Sequence, residues 1–204
     1  MKIFSVRLLS ISIVLMLISC DSEDVATPKP RAYFRIAFPE KKYISYDSVC
    51  PFTFDMPSYS QIENDDNPIA EPCWINLVFA PFQAKLHISY REIKNDLPQL
   101  LANTYELAAK HQVKASGIET QPISKEKSKV YGLIYNIEGN AACPLQFFVT
   151  DSTTHYLRGA LYFNASPNAD SIAPVLNFLR KDVLQFIESF QWKSSIPAQT
   201  VHKK

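Results

Sequence analysis

The stretch KVYGLIYNIEGNAACPLQFFVTDSTTHYLRGALYFN, residues 129–164, decides what kind of fold this chain builds. Tyr131, Leu133, Tyr135 and Ile137 alternate with their neighbours, and Gly139-Asn140 then turns the chain. Leu145 to Thr150 is nearly all apolar, and Asp151-Ser152-Thr153 turns again. Beyond that turn Leu157, Gly159, Leu161 and Phe163 alternate with Tyr156, Arg158 and Tyr162. A period of two, broken by turn residues, marks strands joined by tight links. An antiparallel meander is expected here.

On its C-terminal side, Ile172, Leu176, Leu179, Val183, Phe186, Ile187 and Phe190 recur at helical spacing, with Arg180, Lys181 and Asp182 assigned to the wet face. This helix should open at Asp170 or Ser171, with Pro174 in its first turn, and Trp192 closes it. On the N-terminal side a first helix opens at Asp96. Asp96 and Gln99 have capping-box spacing, and Pro98 falls in the first turn, where a missing N–H costs little. Leu97, Leu100, Leu101, Tyr105 and Ala108 should line its apolar face. Ahead of it, Trp74 to Phe79 and the alternation Leu86, Ile88, Tyr90 read as a strand pair turned at Pro81. Residues 51–56 read as a strand stopped by Pro57, and 57–72 as a polar loop. Strands, helix, strands and a terminal helix imply an α+β fold, an antiparallel β-sheet covered by an internal helix and a C-terminal helix. The order of elements resembles the Mog1/PsbP-like sandwich, a likeness of layout that carries no function.

The first nineteen residues read as an address. Lys2 and Arg7 precede an apolar run, Leu8 to Ile18, interrupted only by Ser10 and Ser12. That run falls short of the about 20 apolar residues a spanning helix needs. A basic start, a short apolar middle and small residues before a cut site describe a secretory signal. Leu17-Ile18-Ser19-Cys20 has the form of a bacterial lipoprotein cleavage site, so residues 1–19 are expected to be removed and Cys20 to carry acyl chains, palmitate among them. Two or more chains, at about 0.8 kcal/mol per buried methylene, hold a protein to a membrane firmly. Residues 20–30, acidic and then Pro-rich, form a lipidated tether able to lift the domain up to roughly 30 Å from the lipid. A single domain is expected over 31–193 and a flexible tail over 194–204. Asp21 after the lipidated cysteine resembles an inner-membrane retention signal, whereas the acidic run as a whole resembles a signal for surface display. The leaflet stays open.

Composition narrows the function classes. With 21 basic and 20 acidic side chains there is no electrostatic footprint for nucleic acid. Only 4 glycines argue against phosphate-cradling loops, while 13 Phe and 10 Tyr suit sheet faces and interfaces. Export implies an oxidising compartment, so Cys50, Cys73 and Cys143 are read for disulfides. Cys50 and Cys73 each precede a strand-like run and are expected to pair, leaving Cys143 a buried thiol. His87, His111, His155 and His202 show no metal-ligand spacing, and no nucleophile elbow or phosphate loop occurs. Neither a metal nor a cofactor nor catalytic residues are expected, although His87 and His155 could meet across a sheet. The best candidates for contact with a partner are Tyr33, Phe34, Arg35 and Tyr43, in the aromatic–basic segment beside the tether, because Tyr and Arg are favoured interface anchors. The competing reading buries Phe34, Ile36 and Phe38 in the core.

Several segments carry a family resemblance: Pro28-Lys-Pro-Arg-Ala-Tyr-Phe-Arg-Ile, Phe38-Pro-Glu-Lys-Lys-Tyr, Cys50-Pro-Phe, Cys73-Trp, Gln146-Phe-Phe-Val-Thr-Asp-Ser and Leu157-Arg-Gly-Ala-Leu-Tyr-Phe-Asn. Together with Pro167-Asn, Asp170-Ser and Ala173-Pro-Val they resemble the gliding motility lipoprotein GldD family, from Cys20 to about Trp192. The resemblance implies a non-enzymatic envelope component of the gliding machinery, working with type IX protein secretion and docking to other gliding or secretion proteins. It implies lipid anchoring, with the outer membrane as the expected site. A different class of function, an envelope lipoprotein that binds a small molecule or glycan in an aromatic-lined groove, is the alternative.

Overall fold

A computed structural model describes residues 35–164 and 168–193. The chain divides into two compact units, Met1–Ile36 and Ala37–Lys204. Of the first, only Arg35 and Ile36 are described, neither in regular secondary structure. Every element below belongs to the second.

Strands β1 (Tyr43–Asp47) and β2 (Phe52–Pro57) pair antiparallel, and β10 (Gln191–Trp192) joins the other edge of β2. The remaining strands are β3 (Gln61–Asn64), β4 (Ile75–Phe79), β5 (Ala84–Glu92), β6 (Ala115–Lys125), β7 (Val130–Gly139), β8 (Leu145–Thr150) and β9 (His155–Phe163). They form a seven-stranded antiparallel sheet in the order β3-β4-β5-β9-β8-β7-β6. Two helices, α1 (Leu97–Ala109) and α2 (Ala169–Ser189), complete an α+β fold.

The alternation read from the meander sets the two faces of the large sheet. On β9, Leu157, Gly159 and Leu161 face inward, opposite Val149, Phe147 and Leu145 on β8 and Tyr90, Ile88 and Leu86 on β5. Against that lattice α2 lays Leu179, Val183, Phe186, Ile187 and Phe190, and β2 adds Phe52, Phe54 and Met56. Each fully buried side chain of this size contributes about 1.5–3 kcal/mol. Gly159 is required by the packing: a Cβ there would stand 2.2 Å from the Phe147 ring. On the opposite face α1 covers Tyr135, Ile137, Phe148 and Tyr156 with Leu100, Thr104 and Ala108.

Several local readings need correction. Tyr105 does not line the apolar face of α1; it is 66% exposed, and Thr104 takes its place, bonded to the Tyr156 hydroxyl. Positions 100, 104 and 108 make the narrower stripe that a single sheet face needs. Asp96 precedes α1 without capping it, because its carboxylate accepts the Lys94 N–H at 2.8 Å instead. Asn168 caps α2, accepting the Ser171 N–H at 3.2 Å, so the helix opens at Ala169 and Pro174 lies beyond its first turn. Asp182 is buried rather than facing water. Within the expected loop 57–72, β3 adds an edge strand to β4, and the other edge strand, β6, was not foreseen. The Cys50–Cys73 disulfide is present, with Cα atoms 5.7 Å apart. It does not join neighbouring strands: the strands that follow its two ends, β2 and β4, lie in different sheets, so the bridge ties the small sheet to the large one.

Candidate functional site

The segment that enters the second unit is fastened to α2 through a buried carboxylate. Asp182 lies on the inner side of α2, one turn from Leu179 and Phe186, with its side chain only 1% exposed. Three donors converge on it. Lys41 Nζ stands 2.6 Å from Oδ2, the Tyr43 hydroxyl donates to Oδ1 at 2.9 Å, and the Tyr59 hydroxyl donates to Oδ2. Lys41 also donates to the Tyr59 hydroxyl oxygen at 2.9 Å and to the Phe178 carbonyl at 3.0 Å, and its ammonium sits 3.3 Å from the centre of the Phe178 ring. A cation over an aromatic face is attracted by the ring's quadrupole. Phe38 stacks on the same Phe178 ring, with centroids 4.4 Å apart, while remaining 39% exposed.

The electrostatics follow from burial. Lys41 has its pKa lowered by desolvation, which outweighs the attraction of Asp182. Burial, then the hydrogen bond to Asp182, pushes Tyr43 up to about 12, and the same causes raise Tyr59 further. Asp182 accepts from three donors and is shielded from solvent, an arrangement suited to holding chain segments together. The clasp therefore fixes Lys41 and Tyr43 on the core.

Of the sequence-derived site residues, Cys20, Tyr33 and Phe34 lie outside the described residues. Arg35 is exposed. Tyr43 is half-buried with its hydroxyl engaged by Asp182, so it serves the clasp. Cys143 is a buried thiol, its pKa pushed up to about 12 by desolvation. His87 and His155 do not meet: the register sets His87 opposite Ala160 and His155 opposite Glu92. His87 touches the edge of Tyr162, and burial lowers its pKa. His155 stacks on Trp192 at 5.1 Å, and its Nδ1 lies 2.8 Å from the Tyr90 hydroxyl. Beside this pair is an open cleft of about 760 Å³ whose walls include Glu92, Lys127, Lys129 and Asp151. Asp151 is held in its turn, its pKa lowered by the backbone N–H groups of His155, Thr154 and Thr153 against the opposing effect of burial. Among the described residues no group of three or more His, Cys, Asp or Glu is placed to hold a metal ion, and no helix is long and apolar enough to cross a membrane.

The fold and clasp define an α+β domain whose first strand and the lysine before it, Lys41, are tied to the C-terminal helix. The chain belongs to the gliding motility lipoprotein GldD family, whose model matches residues 23–192. No curated protein matches it. Among solved structures it is similar to the solution structure of cyanobacterial PsbP (CyanoP) from Synechocystis sp. PCC 6803, at 11% identity and a TM-score of 0.48, over 81% of this chain and 99% of that one.

Proposed function

We propose that this protein is a non-enzymatic, lipid-anchored component of the gliding machinery that docks on other envelope proteins and stabilises them, in association with type IX secretion. The observation that carries this reading is the family match over residues 23–192, directly behind Leu17-Ile18-Ser19-Cys20. Acyl chains on Cys20 confine the domain to a membrane, proposed to be the outer one, and so raise its effective concentration beside its partners.

Replacing Cys20 by alanine in the chromosomal copy tests it. A folded domain in the soluble fraction, with loss of colony spreading, is the expected result; normal spreading would overturn the mechanism. Crosslinking in intact cells followed by pull-down of the anchored form identifies the partner. The glycan-binding alternative draws its support from the His155–Trp192 cleft. Saturable binding of soluble envelope glycan fragments, abolished by Trp192→Ala, would favour it over docking.

A further inference from the structure

The outer face of the seven-stranded sheet carries a polar cluster that neither α1 nor the clasp uses. At its centre β9 offers only the methyl of Ala160, opposite His87 on β5 and Gln146 on β8. Two residues away on the same face of β9, Arg158 and Tyr162 stand on either side of that methyl. Arg158 reaches over Ala160 and donates to Gln146 Oε1 at 2.6 Å. His87 meets the Tyr162 ring edge-on, with centroids 5.5 Å apart.

The polar atoms here are incompletely satisfied. Gln146 is 0% exposed, and its Nε2, Arg158 Nε and Oδ1 of Asn76, which faces His87 across β4 and β5, lack well-formed hydrogen bonds, although the Gln146 side chain also meets the Cys143 thiol and Arg158 the Tyr162 hydroxyl. Buried polar groups in native proteins are nearly always paired, so a cluster of three is informative. Arg158 is half-buried and, among the described residues, has no carboxylate at ion-pair distance. The nearby Lys85 is already paired with Glu63. Desolvating a guanidinium is costly unless an anion offsets it. Its charge reaches His87 and His111, whose pKa values burial already lowers and Arg158 lowers further; Asp65 opposes this only at His87. Both effects disfavour the imidazolium forms, leaving Arg158 as the charged group of the cluster.

We propose that this cluster binds one carboxylate at the half-exposed Arg158 guanidinium, with Gln146 positioning it, and that the carboxylate is an acidic side chain of the docking partner. This rests on the docking reading above. A guanidinium fork matches a carboxylate in two parallel hydrogen bonds, and arginine is enriched among the residues that dominate protein interfaces.

The test is an NMR titration of the ¹⁵N-labelled mature chain carrying Cys20→Ala, following the Arg158 Nε–H and Ala160 backbone N–H signals. The probes are a glutamate-containing decapeptide, acetate and inorganic phosphate. Saturable shifts with the peptide and, more weakly, with acetate are expected. Arg158→Gln should abolish them. Arg158→Lys, which keeps the charge and guards against a folding defect, should weaken peptide binding about tenfold, read at Ala160. No saturable shift, or binding unchanged in Arg158→Lys, would overturn the site. Response to phosphate alone would overturn the carboxylate assignment, and response to acetate without the peptide would overturn the protein source. Because the titration needs no anchor, its failure leaves the Cys20→Ala spreading result intact, and the reverse also holds.

Discussion

The two faces of the seven-stranded sheet are made from the same alternating strands and are put to different uses. The inner face is sealed. Leu145, Phe147, Leu157 and Leu161 meet α2 and β2 with no exposed surface, and Phe186 contacts both Phe54 (4.2 Å) and Phe147 (5.5 Å) between ring centroids. The outer face is covered by α1 over Tyr135, Phe148 and Tyr156, and elsewhere shows Lys85, His87, Arg158 and Tyr162. A sealed face must commit its side chains to shape and apolar area. A partly covered one can keep polar groups whose partners come from outside. Stability is therefore concentrated on the inner side of the sheet, and recognition is what we propose for the other.

Substitutions can break or sharpen that contrast. The largest effect is expected for Phe186→Ala, which empties the meeting point of α2 and both sheets and should cost about 3–5 kcal/mol in urea unfolding. Replacing Cys50 and Cys73 together by serine releases a bridge spanning 23 residues and should cost about 3 kcal/mol, seen as a lower denaturation midpoint without reductant.

A third test acts on the clasp at the margin of the inner face. Tyr43 and Tyr59 have folded pKa values raised above the ordinary phenol, so their contribution is fully present below about pH 10 and is lost as pH rises through the folded values, near 12 for Tyr43. Lys41 acts with the opposite sign: its lowered pKa makes the folded state relatively more favourable as pH approaches 10.5. Alkaline unfolding should start above pH 10, and Tyr43→Phe with Tyr59→Phe should flatten that limb when unfolding is followed by circular dichroism. The smallest effect belongs to the outer face. Arg158→Gln should cost about 1 kcal/mol, because it takes the guanidinium partner from the buried Gln146 Oε1. A large loss there would mean the outer face also carries the fold.

The parts of this architecture legible in the sequence were those with a strong period. The meander β7-β8-β9 and the stripe of α2 were readable because each buries one regular row of side chains. Asp182 was misread because its charge outweighed its place on the helix, although Leu179 at three residues before and Phe186 at four after already put it on the buried side. Strand β6 hid behind Glu119-Thr120-Gln121-Pro122; as an edge strand it buries only Ile123 and so shows no alternation. The pairing of Cys50 with Cys73 was legible, but the sheets it joins were not, since that depends on which strands become neighbours. The polar cluster was invisible for the same reason: His87, Gln146 and Arg158 stand on three strands, and only the register brings them around Ala160.

Anchoring at Cys20 is measured most directly by intact mass spectrometry of the protein purified from the membrane fraction of cells. A chain beginning at Cys20 and heavier by a diacylglyceryl group, with or without a further amide-linked acyl chain, is the expected result. An unmodified sulfur on a polypeptide recovered free in the periplasm would contradict lipid anchoring and the docking mechanism built on it.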